Sequence, residues 1–191
     1  MGVNMFKDLL VKNRSIRKYD QNVAVSRETL LELVDLGRLA NSAGNRQPLK
    51  YFISHTSEMN ALIYTHIGLA GQPAEGERPS AYIIMLADSL LSGYGGSTVD
   101  HGIAAEVILL GATERGLGGC MIGMINRKGL QAALQISERY SILLVLTIGK
   151  PQEKHVFEIA EDEKADMKGW WDEQGVRHIP KRRLKDVVIN Y

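Results

Sequence analysis

Two arginines and a serine crowd into four positions, Arg14-Ser15-Ile16-Arg17. At that spacing two guanidinium forks and one hydroxyl can converge on a single phosphate. Basic residues at a helix end also offset the helix dipole, so the quartet alone reads either way. Lys181 and Arg183 offer a second cationic pair at alternate positions, which project together from an extended segment. Two separated basic clusters suit a small phosphorylated ligand better than a polyanion; the plainer alternative is a solvated basic tail. A third stretch, Asn41-Ser42-Ala43-Gly44-Asn45-Arg46-Gln47-Pro48, sets amide and hydroxyl groups beside small residues that let backbone approach a flat ligand. Its plainer reading is a polar turn.

Other chemistries fit the residues poorly. Gly116-Leu117-Gly118-Gly119-Cys120-Met121 begins like a dinucleotide fingerprint, but its third glycine position holds Met121 and it follows a helix instead of a strand. There is no phosphate-loop GxxxxGK[ST] run, and the 5 histidines are scattered without HExxH spacing or cysteine partners. Ala40 to Gly44 approximates a nucleophile elbow with strand and helix in the wrong order. His101 reads as a helix-end residue before it reads as a proton donor.

Lys+Arg 23 against Asp+Glu 22 leaves a net charge of +1, too little to draw the chain onto nucleic acid or an anionic membrane. Cys120, the single cysteine, cannot form an internal disulfide. The opening MGVNMFKDLLVKNRS lacks the apolar core of a signal peptide, and Phe6 stands where myristoylation wants Ser or Thr. No apolar run reaches the ~18–20 residues of a membrane span. The expectation is a soluble, cytoplasmic protein.

The elements that must position these groups are set by periodicity. The 191 residues suit one domain, 1–191, with about 152–191 as an extension. Phe6, Leu9 and Leu10 mark a short first helix, and Ser26 caps a second with Leu30, Leu33, Val34 and Gly37 on one face. Strands are predicted over 50–54, 81–87, 119–123 and 141–149, and helices over 57–70, 99–115 and 128–136. The 99–115 helix is apolar nearly all round, which places it at the centre of a fold or an interface. Loops are expected at 71–79 and at Gly93–Ser97. After Pro151 come a charge run, Trp170 and Trp171, a Gly175 turn and the basic 180–183 segment, with no clear amphipathic helix. Val187 to Ile189 looks strand-like, and the tryptophans read as anchors of the tail before they read as a cover for a site.

Six blocks in order, Arg14–Arg17, Ala40–Pro48, Asp100–Glu106, Gly116–Gly123, Gly149–Pro151 and His178–Arg183, resemble the signatures of the FMN-dependent nitroreductase family. The resemblance implies an α+β fold, a mixed, mainly antiparallel sheet flanked by helices, in a homodimer with FMN at each of two interface sites and the C-terminal extension wrapped onto the partner. It implies that Arg14, Ser15 and Arg17, with Lys181 and Arg183, hold the phosphate. Asn41, Ser42 (from the partner chain), Asn45 and Gln47 would line the flavin, and backbone around Met121, Ile122 and Gly123 would face its reactive edge. Leu49 and Met121 replace tryptophans found in many relatives, so substrate preference does not carry over.

The resemblance further implies an oxidoreductase that receives NADH or NADPH transiently and then a small electron-poor acceptor such as a nitroaromatic or quinone, by ping-pong turnover. FMN carries the hydride chemistry, so no catalytic acid or base and no metal is assigned. Related alternatives are a flavin-fragmenting or dehalogenating role, or a redox-inert flavin-binding module.

Overall fold

Ser26 opens helix α2 (Arg27–Arg38) as its spacing predicts: its hydroxyl accepts from the Thr29 N–H at 3.1 Å, and Leu30, Leu33 and Gly37 turn inward. In the computed structural model, which describes residues 5–91 and 99–190, α2 belongs to the first of two compact units, Met1–Gln152 and Glu153–Tyr191. The expected Gly93–Ser97 loop lies outside the described residues.

The first unit is built on a five-stranded sheet of β1 (Tyr19–Asp20), β2 (Leu49–Ser54), β3 (Ala81–Asp88), β4 (Gly118–Ile122) and β5 (Tyr140–Pro151). Its ladders are antiparallel: β3 lies between β2 and β5, while β5 also pairs with β4 and, at its end, with β1. Residues 81–86 are buried without a break, as a strand covered on both faces must be. The period of two sorts them. Ile83 and Met85 join Leu30, Leu33 and Ile108 on one side; Tyr82 and Ile84 join Ile63 and Leu130 on the other. The first layer is α2 with α4 (Asp100–Glu114), the second α3 (Ser57–Tyr64) with α5 (Arg127–Ala133).

Helix α4 fulfils the expectation of a central element only on one side. Ala104, Ala105, Ile108 and Ala112 are buried, yet Ile103 is 42% exposed and Val99, just before the helix, 60%. Helix α3 stops at Tyr64, short of the predicted Ala70. Ile67 instead bridges to Ile125, and the Gly68 N–H donates to the Met124 carbonyl at 2.8 Å, so a long-range backbone pairing replaces two further helical turns.

The second unit is more ordered than its sequence suggests. Strands β6 (Lys154–Ile159), β7 (Trp170–Trp171) and β8 (Val176–Lys181) form a sheet in the order β6-β8-β7, with β6 parallel and β7 antiparallel to β8. Pro180 disguises β8, because proline lacks the N–H a central strand needs. The structure tolerates it since β7 pairs only with Arg177 and His178, leaving one side of Pro180 open. The strand expected at Val187–Ile189 is absent. A 3-10 turn at Leu184–Asp186 precedes it, closed by Arg183 gripping Asp186 at 2.7 and 3.0 Å, and the Val187 and Val188 N–H groups fold back to the Leu184 carbonyl.

Trp170 stacks on His178 at 4.0 Å, and each tryptophan is about half exposed. His178 Nε2 meets Asp172 at 3.1 Å while Nδ1 meets Glu158. Those hydrogen bonds, to Asp172 first and Glu158 second, raise the His178 pKa. Asp172 is lowered by the Val176 N–H and then by His178. A raised histidine stabilises fully below its unfolded value of about 6.5 and loses that contribution as pH rises through the folded value; a depressed aspartate stabilises above about 3.9 and loses it as pH falls. This unit should therefore be most stable between about pH 4 and 6.5. Both tryptophans of the chain lie in it, so tryptophan-fluorescence melting reads it selectively. Wild-type melting should weaken from pH 6 to 8, and His178→Ala should flatten that loss; a flat wild-type profile would contradict the assignment.

Candidate functional site

Helix α1 (Met5–Lys12) delivers the basic quartet and is anchored by the residue just past its end. Asn13, buried, donates through Nδ2 to Glu106 Oε1 at 2.9 Å and so ties the end of α1 to α4. Arg14 turns back on its own helix, with Nε on the Val11 carbonyl at 2.9 Å and Nη2 on that of Leu10 at 2.7 Å. Two of the orphan carbonyls of the last turn are thereby satisfied. Burial lowers the Arg14 pKa, with Glu106 opposing, and the guanidinium remains charged.

Beyond Arg14 the chain becomes a strap across the edge of β4. Ser15 bridges Gly119 in parallel, and the Ile16 N–H donates to the Gly119 carbonyl at 2.9 Å. Ile16 plugs inward, while Ser15 is exposed and Arg17, half-buried, places Nη1 3.3 Å from the Ser15 carbonyl. Two glycines make this fit. A Cβ at Gly118 would sit 2.6 Å from Ile16 Cγ1; one at Gly119 would overlap the Thr147 carbonyl oxygen and approach Leu109 Cδ2 to 2.6 Å.

Strand β4 then carries the edge toward Met121, Ile122 and Gly123. Since the Gly119 carbonyl faces the strap, alternation turns the Met121 N–H and C=O to the same side, away from β5. At ~3.3 Å per residue, Met121 stands about 7 Å from Gly119 along that edge. Ile122 is buried beneath, and a Cβ at Gly123 would meet nothing within 4 Å. Arg127 secures the end of the strand through the carbonyls of Ile142 at 3.0 Å and Gly123 at 3.4 Å.

The loop of residues 41–48 holds an unusual backbone. Gly44, Asn45 and Gln47 have φ of 58°, 53° and 50°, the left-handed region that non-glycine residues enter at a cost. Side chains hold it there. The Ser42 hydroxyl accepts from the Gln47 N–H at 2.9 Å, and Gln47 Nε2 donates to Asn45 Oδ1 at 3.1 Å. The Ala43 N–H donates to Asp100 Oδ1 at 3.1 Å. Ser42 is thus a loop brace, its hydroxyl engaged by the Gln47 N–H. Asn41, Ser42 and Gln47 line a pocket of about 180 Å3 with Leu49, Tyr51 and Asp100.

Asp100 is the residue sequence reasoning passed over. It is buried in the first turn of α4, six residues before Glu106. At 1.5 Å rise per residue those two acids are about 9 Å apart along one helix, and one pins the 41–48 loop while the other pins the strap. An acidic residue at a helix start was the visible signal.

Lys181 and Arg183 belong to the second unit. Lys181 is the exposed last residue of β8, and its carbonyl accepts from the Ala160 N–H at 2.8 Å. Arg183 is engaged within that unit, by Asp186 and by the Glu161 carbonyl at 2.5 Å.

Residues 10–150 match the family model of the nitroreductase family. The chain belongs to the nitroreductase family. An Archaeoglobus fulgidus relative named "Putative NADH dehydrogenase/NAD(P)H nitroreductase" is 31% identical over 160 residues, covering 81% of this chain and 90% of that one. The solved FMN-dependent nitroreductase of Clostridium difficile R20291 superposes with a TM-score of 0.64 at 25% identity, over 76% of this chain and 87% of its own. A nitroreductase family protein from Clostridium novyi NT gives 0.65 at 24% identity, over 92% and 94%. The antiparallel sheet between two helical layers is therefore the nitroreductase fold. The nitroreductase match contains the strap, the 41–48 loop and β4, and ends before Lys181 and Arg183. Among the described residues no helix is long and apolar enough to cross a membrane.

Proposed function

We propose that this nitroreductase family member binds FMN, takes hydride from NADH or NADPH, and passes it to a small electron-poor acceptor of the nitroaromatic or quinone type by ping-pong turnover. The observation that carries the reading is the single edge of β4, with the basic strap at one end and the outward Met121 amide and open Gly123 at the other. The donor set fits a ligand with an anionic phosphate at one end and a flat polar ring at the other. Ser15 and Arg17 lie on the outer side of the strap, and Arg14 adds its charge; these would hold the phosphate. The Met121 N–H would donate to a ring nitrogen, with Ile122 supporting it from beneath, and the missing side chain at Gly123 would leave room for the ring.

FMN, when bound, supplies the acceptance and release of hydride. The chain's residues bind, orient and shield it. In this reading Asn41, Ser42, Asn45 and Gln47 line the ring, and Asp100 positions them by holding the Ala43 N–H. For Lys181 and Arg183 a role at the phosphate rests on the sequence resemblance. The 41–48 pocket alone is smaller than the ~300–1,000 Å3 usual for cofactor-sized ligands. A second copy of the chain completing the site accounts for that deficit, and the apolar side of α4 left at the surface is the proposed contact.

Two measurements test this. Initial rates with varied NADH or NADPH at several acceptor concentrations should give parallel double-reciprocal lines; intersecting lines would overturn the ping-pong order. Arg17→Ala should weaken FMN binding by roughly 1.5–3 kcal/mol, about ten- to a hundred-fold, as removal of a charged hydrogen bond does. Unchanged affinity in a titration of the apoprotein would remove Arg17 from the site.

A further inference from the structure

Burial recurs at every third residue along the strap, at Asn13, Ile16 and Tyr19, while the residues between them are exposed or half-buried. The strap therefore rests on three inward side chains. Asn13 grips Glu106 and Ile16 plugs against Gly118. Tyr19 does something further, because its buried hydroxyl reaches back to the strap itself.

The Tyr19 ring is fully buried and lies on a bare stretch of β5: a Cβ at Gly149 would sit 2.8 Å from Tyr19 Cδ1. Its hydroxyl is 2.5 Å from the Ile16 carbonyl and 2.6 Å from the hydroxyl of Thr147, a residue that is also fully buried. Counting protons orders these contacts. The Ile16 carbonyl can only accept, so the single phenolic proton goes there and Thr147 donates to the Tyr19 oxygen. Thr147 Oγ1 in turn accepts from the Cys120 N–H at 3.0 Å, its 3.3 Å approach to the Cys120 carbonyl being the longer option. A one-way chain of hydrogen bonds thus runs from β4 through β5 to the strap, in a dry setting where such bonds strengthen one another.

The end of that chain fixes a peptide plane beside the basic residues. The Ile16 N–H is held by the Gly119 carbonyl at 2.9 Å and the Ile16 carbonyl by Tyr19, so both backbone groups of Ile16 are pinned to the sheet. In a trans peptide the carbonyl and the following N–H point opposite ways, so an Ile16 carbonyl drawn inward turns the Arg17 N–H outward. Ile16 stands between Ser15 and Arg17, and the directions of both side chains follow from how its two peptides are held. The tyrosine is anchored in its turn: its N–H donates to the Glu77 carbonyl at 2.9 Å, and β1 pairs with Lys150 and Pro151.

We infer that Tyr19, backed by Thr147, is a positioning residue of the proposed FMN site: its hydroxyl holds the Ile16 peptide in the orientation that presents Ser15 and Arg17 to the phosphate. This rests on the flavin reading and adds to it a buried hydroxyl that sets affinity without touching the ligand. Phenylalanine at position 19 would fill the same space but leave the Ile16 carbonyl buried without its donor, so the peptide would turn toward another partner and carry the strap with it.

The test pairs FMN titration of the apoprotein, well below its melting temperature, with hydrogen exchange of the Ile16 amide in the same samples without flavin. Tyr19→Phe should weaken FMN binding about tenfold and speed Ile16 exchange. Thr147→Val should do both to a smaller degree, and Thr147→Ser, which keeps the hydroxyl, should restore wild-type behaviour. In the double variant Tyr19→Phe/Thr147→Val the loss should match that of Tyr19→Phe alone, since Thr147 acts through the tyrosine. Ile63→Val, in the opposite helical layer, should lower the melting temperature and leave FMN affinity unmoved. Should Tyr19→Phe fail to fold, the two Thr147 variants carry the comparison. Unchanged FMN affinity in Tyr19→Phe, additive losses in the double variant, a serine variant as weak as the valine one, or an equal loss in Ile63→Val would each overturn the assignment. A wild-type apoprotein that takes up no FMN would instead sink the flavin reading, and Ile16 exchange alone would then judge whether Tyr19 holds the strap.

Discussion

Replacing Ile103 by glutamate should separate the protein into monomers and strip it of FMN in the same step. Helix α4 is buried along Ala104, Ala105, Ile108 and Ala112, yet Ile103 beside them is exposed, and a Cβ at neighbouring Gly102 would meet nothing within 4 Å. Phe6 of α1, the helix tied to α4 through Asn13 and Glu106, is 66% exposed as well. Exposed apolar groups on these two helices are what the proposed dimer would cover. A carboxylate placed there would be buried without a counter-charge, at about 3–5 kcal/mol, or roughly a hundred- to several-thousand-fold in dimer dissociation. Because the proposed site needs both copies, flavin should leave with the partner. Sedimentation and the bound-flavin ratio, measured on one sample, decide this: a monomer that keeps FMN would show the site complete in one chain, and an unaltered dimer would move the interface elsewhere.

Gly119→Ala should be the most damaging single methyl in the chain. The new Cβ would overlap the Thr147 carbonyl oxygen and crowd Leu109, forcing β4 away from β5 and α4. The Gly119 carbonyl that holds the Ile16 N–H would move with it, and the basic strap would lose its seat. Overpacking of this kind costs about 1–3 kcal/mol in stability. FMN affinity should fall beyond that, since strap and strand edge are displaced together. Gly123→Ala is the control: open space surrounds that position, so thermal stability should hold. Equal melting temperatures for the two variants would contradict the packing account.

The legibility of these features in sequence tracked their locality. Ser26 capping, the apolar run of residues 81–87 and that of α4 are short-range patterns, and each element formed where its spacing placed it. The parts that were not legible depend on distant partners. Tyr19–Asp20 is too short to read as a strand and exists because Pro151 and Lys150 lie beside it. Strand β8 was hidden by Pro180, and α3 was cut short by the pairing of Gly68 with Met124. Within the candidate site, residue types pointed to the strap, the loop and β4, whereas the device that positions them did not show. Asp100 and Glu106 act through an amide at Ala43 and a side chain at Asn13, 57 and 93 positions away.

The central claim is that bound FMN receives hydride from a reduced pyridine nucleotide on this chain. Its most direct test is the absorbance spectrum of the purified protein without oxygen, before and after NADH or NADPH is added, with identification of the flavin released on denaturation. A yellow protein that at least one of the two bleaches, that a nitroaromatic or quinone recolours, and that releases FMN is the predicted result. FAD in place of FMN, protein that stays colourless after FMN is supplied, or a flavin spectrum unmoved by both nucleotides would contradict it.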